Sequence, residues 1–203
     1  LGEQIFFLEE VGGYLLFLAD DGTHGYELWR TDGTSAGTVM VKDLNPSGDG
    51  ATNDYYGSLL AKPIGSYVYF VGNDGTYDFD PGSETWTPMN IWKSDGTSTG
   101  TVKVTNFGSG QDFNVPVYLT SAGDTLFFFQ NMELWKIDYP DQAPAFVFNF
   151  TVPYNPIGFE VPRILGPWLV VDDNLLLRRE MPMPNAKEPG DDYEELWITD
   201  GTT

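Results

Sequence analysis

Residues Glu27 to Thr38 read ELWRTDGTSAGT, an apolar Leu-Trp pair set beside Asp-Gly-Thr. The phrase returns at Ile91 to Thr101 as IWKSDGTSTGT, at Glu133 to Asp138 as ELWKID and at Glu195 to Thr202 as ELWITDGT. A phrase that recurs four times in 203 residues is a building element of a repeat architecture before it is an active site. Each copy follows a strand-forming stretch broken by a tight turn. These stretches are IFFLEEVGGYLLFLA (Ile5 to Ala19), SLLAKPIGSYVYFVG (Ser58 to Gly72), VYLTSAGDTLFFFQ (Val117 to Gln130) and WLVVDDNLLLRRE (Trp168 to Glu180). The turns fall at Gly12-Gly13, Gly65-Ser66, Gly123-Asp124 and Asp173-Asn174. All four pairs tolerate the positive φ of a two-residue hairpin.

Each repeat thus predicts four short strands: one on either side of the first turn, one through Leu-Trp, and one after Asp-Gly-Thr. GTVMVKDL (Gly37 to Leu44) and GTVKVTNF (Gly100 to Phe107) supply the fourth in the first two repeats. No stretch keeps a helical period over ten residues, so the expected class is all-β. Turn spacings of 53, 58 and 50 residues between Gly12, Gly65, Gly123 and Asp173 suit four-stranded antiparallel meander blades in a β-propeller-like array. The expected organisation is one repeat domain over residues 1–203. Its approximate repeats are 5–57, 58–116, 117–166 and an incomplete 167–203. The missing last strand and the opening on Leu1 point to a window on a longer chain. Two insertions, TYDFDPGSETWTPM (Thr76 to Met89) and MPMPNAKEPGDDYE (Met181 to Glu194), fall between the second and third strands of their repeats. Both should emerge at the same end of the array, where binding loops gather.

The phrase resembles the ELWxxDGTxxGT repeats of large secreted or surface-attached bacterial proteins. Glu27-Leu28-Trp29, Asp32-Gly33-Thr34 and Gly37-Thr38 match it in full. The second copy carries Asn90 in place of Glu, and the third replaces the turn with Tyr139 to Pro144, YPDQAP. The fourth matches as far as it runs. The resemblance implies a β-propeller-like domain and an extracellular or cell-surface setting, and it implies no reaction.

Composition narrows the function classes. Thirty acids against ten bases give a formal charge of −20, which repels nucleic acid and attracts divalent cations or basic partners. The absence of cysteine removes disulfides, thiolate metal sites and cysteine nucleophiles. Apolar runs are too short to cross a membrane as helices, so no membrane insertion is expected.

The repeated residues carry two readings. Trp29, Trp92, Trp135 and Trp197 either pack between neighbouring blades, each indole N–H finding a carbonyl, or form a ring of sugar-stacking aromatics. Asp32, Asp95 and Asp200 either close Asx-type turns, with Gly33, Gly96 and Gly201 taking positive φ, or ligate calcium. Core packing and turn formation need fewer assumptions. A better calcium candidate is NDGTYDFD (Asn73 to Asp80), where Asp74, Asp78 and Asp80 alternate along a loop; EPGDDYEE (Glu188 to Glu195) is a second acidic loop. Calcium is the only cofactor expected.

Catalytic sets are thin. His24 is the sole histidine and sits in a turn-like stretch, and no spacing selects a carboxylate pair for glycoside hydrolysis. Asn149-Phe150-Thr151 forms a glycosylation sequon. The leading expectation is a non-catalytic extracellular module for adhesion, matrix or filament assembly, or binding of a protein or glycan partner within a larger assembly. The alternative is a carbohydrate-active enzyme or lectin on a propeller scaffold.

Overall fold

The computed structural model describes residues 5–51, 61–75, 89–107, 116–130, 133–140, 143–149, 163–182 and 192–201. Among them every regular element is a strand, and the strands form four antiparallel sheets in chain order. The first sheet is β1 (Ile5–Val11), β2 (Tyr14–Asp20), β3 (Tyr26–Thr31) and β4 (Val39–Lys42). The second is β5 (Ala61–Ile64), β6 (Tyr67–Gly72), β7 (Asn90–Ser94) and β8 (Val102–Lys103). The third is β9 (Val117–Ala122), β10 (Thr125–Gln130), β11 (Glu133–Asp138) and β12 (Ala145–Asn149). The fourth holds β13 (Arg163–Val171), β14 (Asn174–Pro182) and β15 (Asp192–Thr199). Within each sheet the spatial order is the sequence order, as hairpin-linked meanders require.

Three of the expected hairpin turns stand where the sequence puts them, with Gly12, Gly65 and Gly123 at positive φ. The fourth is shifted by one residue. Asp172 (φ 49°) and Asp173 (φ 63°) make the turn, and Asn174 already opens β14, its side-chain Nδ2 donating to the Asp172 carbonyl at 2.9 Å. Asp tolerates the left-handed region because its short polar side chain bonds locally. The second insertion is also shorter than expected: Met181 and Pro182 still pair with Tyr193 and Asp192, so the hairpin extends into it.

Strand periodicity decides which neighbour each side chain meets, since alternate residues point to opposite faces. On β6, Val68 and Phe70 join Leu16, Leu18 and Leu28 of the first sheet. Tyr69 and Val71, one residue out of phase, join Leu126 and Phe128 of the third. On β10, Phe127 and Phe129 turn to Leu175 and Leu177 of the fourth. A sheet buried on both faces reads as a continuous apolar run, which is why VYFV and LFFF show no alternation of character.

The motif follows the same rule. Its Leu position, occupied by Leu28, Ile91 and Leu134, faces the next sheet in the chain; its Trp position, occupied by Trp92, Trp135 and Trp197, faces the preceding one. First strands of successive sheets lie beside one another, β1 by β5, β5 by β9 and β9 by β13. The sheets therefore converge on their first strands.

Candidate functional site

The turn after the motif strand is built the same way twice. Asp32 Oδ1 accepts from Thr34 N at 2.9 Å and Thr34 Oγ1 at 2.7 Å; Asp95 accepts from Thr97 with the same two distances. The threonine oxygen in turn accepts from Gly37 N or Gly100 N at 2.9 Å. Thr38 and Thr101 hydroxyls donate back to the carbonyls of Thr34 and Thr97 at 2.7 Å. Gly33, Gly96 and Gly201 all take the left-handed region, at φ 89°, 85° and 84°. A methyl group at Gly37 or Gly100 would overlap the Asp32 or Asp95 carboxylate. These bonds assign each part of Asp-Gly-Thr-x-x-Gly-Thr a task in closing the turn. Two bonds lower Asp32 from its ordinary value, the Thr34 hydroxyl first and the Thr34 amide second. Asp200 belongs to the copy whose Gly201 N donates to Thr199 Oγ1 at 2.9 Å.

The motif Glu does work that sequence reasoning missed. Glu27 is fully buried, and its carboxylate accepts from Leu44 N at 2.7 Å and Asn45 N at 3.3 Å, clamping the chain that leaves β4. Asn90 holds the same position in the second sheet: its Oδ1 accepts from Phe107 N at 2.8 Å and from Thr105 Oγ1 at 3.1 Å. Leu44 and Phe107 each lie 17 residues after their clamp. In the third sheet Glu133 accepts from Asn149 Nδ2 at 3.2 Å, which places the sequon asparagine within the clamp. The sequence signal was the interchange of Glu and Asn at one position, two side chains that share an acceptor oxygen. Burial pushes Glu27 up to about 7, against the pull of the Leu44, Asn45 and Gly50 amides.

The tryptophans partly meet expectation. Trp92 is buried between the first and second sheets, and Trp135 and Trp197 are partly buried at the next two junctions. Trp29 stacks on Phe17 of its own sheet, ring centroids 6.5 Å apart. The expectation of a carbonyl for every indole is met by Trp29, which donates to Ala19 O at 3.0 Å. Trp135 instead donates to the Glu133 carboxylate at 3.1 Å, and the buried Trp92 Nε1 has no hydrogen-bond partner among the described residues. Glycine at position 72, where Ala19 stands in the first sheet, lets the Trp92 ring lie close against the strand.

Loops joining second to third strands hold the remaining candidates. His24 Nδ1 meets Asp21 Oδ2 at 2.8 Å, the carboxylate also accepting the Thr23 and His24 amides. The histidine is held above its ordinary value by Asp21, and Asp21 is lowered to about 2 chiefly by His24. Asp74 is paired with Lys103 Nζ at 2.6 Å. Asp78, Asp80 and the loop from Glu188 to Asp191 lie outside the described residues. Among the described residues no three His, Asp or Glu side chains converge as metal ligands.

A shallow cavity of about 290 Å³ lies between the second and third sheets, lined by Tyr69, Lys93, Val102, Lys103, Val104, Ile137 and Ala143. The Lys93 ammonium stands 4.4 Å above the Tyr67 ring. Both lysines of this lining are engaged, Lys93 with the Tyr67 ring and Lys103 with the Asp74 carboxylate.

Comparison with protein-family profiles and with curated proteins gives no match. Among solved structures, the chain is similar to an endo-arabinase from Bacteroides thetaiotaomicron. The two share 11% identity and a TM-score of 0.39, over 98% of this chain and 75% of that one.

Proposed function

We propose that this chain is a non-catalytic extracellular repeat module. Its four sheets would be arranged as propeller-like blades, and it would serve assembly or the binding of a protein or glycan partner. The observation that carries this reading is the structural employment of the recurrent phrase. Its Leu and Trp join sheets, its Glu or Asn clamps the exit of the fourth strand, and Asp-Gly-Thr closes the turn. The segments between second and third strands differ in length, and partner recognition would belong there. Calcium held by the Asn73 to Asp80 loop would order that end of the module.

Incubation with arabinan and a panel of other polysaccharides tests the non-catalytic part. No release of reducing ends above buffer is expected; turnover that is lost on replacing a carboxylate would overturn the reading.

A further inference from the structure

We propose that Glu27 is a proton-operated latch on the start of the second sheet's Asn73 to Asp80 loop. Protonated, it holds the chain leaving the first sheet against that loop; ionised, it loosens the contact. The clamp position itself does not call for a charge. Asn90 performs the same task in the second sheet with a neutral amide, accepting from Phe107 N at 2.8 Å and Thr105 Oγ1 at 3.1 Å. An ionisable group where a neutral one suffices makes the clamp depend on pH. Glu27 is fully buried, whereas Glu133 in the third sheet is only partly so. Among the described residues, the charged groups that act on it are Asp43, from the exit of β4, and His24, from the β2–β3 loop. His24 is itself held by Asp21 at 2.8 Å. Asp43 Oδ1 is buried and has no hydrogen-bond partner among the described residues, which leaves a poorly solvated negative charge near the clamp. Burial first, and Asp43 with it, oppose ionisation of Glu27.

What the latch holds reaches the second sheet by two contacts. Asn45, whose N–H donates to Glu27 at 3.3 Å, is buried, and its Oδ1 fills the space where a side chain at Gly75 would stand. Gly50 lies so close to the Glu27 carboxylate that a methyl group there would overlap it, and the Gly50 carbonyl accepts from Asn73 N at 2.7 Å. Asn45 Nδ2 ties these two contacts together by donating to Asp49 O at 3.1 Å. Ala51 then bridges Gly72 of β6. Tyr26, beside Glu27 on β3, pins the same segment independently, its carbonyl accepting from Gly50 N and Ala51 N at 3.0 Å. Ionisation therefore loosens the Asn73 to Gly75 corner without unfolding the first sheet. Asn73 opens the segment between the second and third strands of its sheet, where the proposed function places recognition. Only the use of the latch in recognition rests on that reading; the contacts that form it do not.

Titration of the native chain by NMR between about pH 4 and 9 tests the latch. The Glu27 side-chain carboxyl carbon should titrate near 7, and the Leu44, Asn45, Asn73 and Gly75 amides should shift with the same midpoint. Exchange of the Asn73 amide, corrected for its intrinsic pH dependence, should be about threefold or more faster above that midpoint. Glu27→Gln, which keeps the acceptor, should abolish both responses while the chain stays folded. Asp43→Asn should move the Glu27 midpoint down, because a like charge is removed. His24→Ala should leave the Asn73 and Gly75 responses in place, which separates them from the histidine's own titration. A Glu27 carboxyl that titrates at the ordinary glutamate value overturns the proposal. So do Asn73 and Gly75 amides that ignore its titration, or that still respond in Glu27→Gln. The polysaccharide assay reports on the proposed function separately, and neither result decides the other.

Discussion

At the scale of single residues, the chemistry of the repeat is hydrogen bonding that closes turns and holds strand exits. Glu27 is the sharpest case. Its folded value of about 7 lies above the ordinary 4.5, so the folded state holds its proton more tightly than the unfolded chain. The linked stabilisation is therefore fully present below about pH 4.5 and is lost as pH rises through about 7. The shift corresponds to about 3 kcal/mol at most. Glu27→Gln should flatten that limb of a melting temperature against pH curve between pH 5 and 8, and an unchanged slope would contradict the burial of the Glu27 carboxyl. His24, also raised, acts in the same sense at higher pH, so His24→Ala must be run beside it. Asp95→Ala removes acceptors for the Thr97 amide and hydroxyl and should cost about 1–2 kcal/mol by denaturant unfolding. The turn was legible because Asp-Gly-Thr states its own local geometry. The Glu clamp was not, because its partners Leu44 and Asn45 are backbone amides, which carry no residue signature.

At the scale of elements, strand pairing was readable and the assignment of faces came with it. Glycine turns between apolar runs fixed three hairpins, and the parity of Leu28 and Trp29 followed from the two-residue period. The Asp172-Asp173 turn was missed by one residue because Asp-Asp and Asp-Asn are almost equivalent in their tolerance of positive φ. That the Trp92 N–H meets no acceptor among the described residues was also beyond reach, since strand parity places a ring without saying which atom its N–H meets. The same position should have unequal weight in different sheets. Trp92, buried at a junction, should lose about 3–5 kcal/mol on change to Ala. Trp29, half-buried and stacked on Phe17 of its own sheet, should lose clearly less in the same unfolding experiment. Equal losses would mean that junction packing is not what the motif Trp provides.

At the scale of the whole molecule, the sheets act as successive layers, each finished only by the next. That arrangement gives local, nearest-neighbour contacts and predicts that damage at one junction is felt mainly there. The acidic stretch from Asn73 to Asp80 adds a separate expectation. If the loop holding Asp74 binds calcium with an affinity of roughly 0.1–1 mM, 1 mM calcium should add about 0.4–1.4 kcal/mol, read as a rise in melting temperature reversed by chelator. Asp74→Asn would separate a calcium effect from the Lys103 pairing if Lys103→Met leaves the rise intact. The most direct test of the joint is a double-mutant cycle on Leu28→Ala and Trp92→Phe, residues from adjacent sheets in one buried cluster. Leu of one sheet closing on Trp of the next predicts a coupling of about 0.5 kcal/mol or more. Strictly additive losses would contradict it.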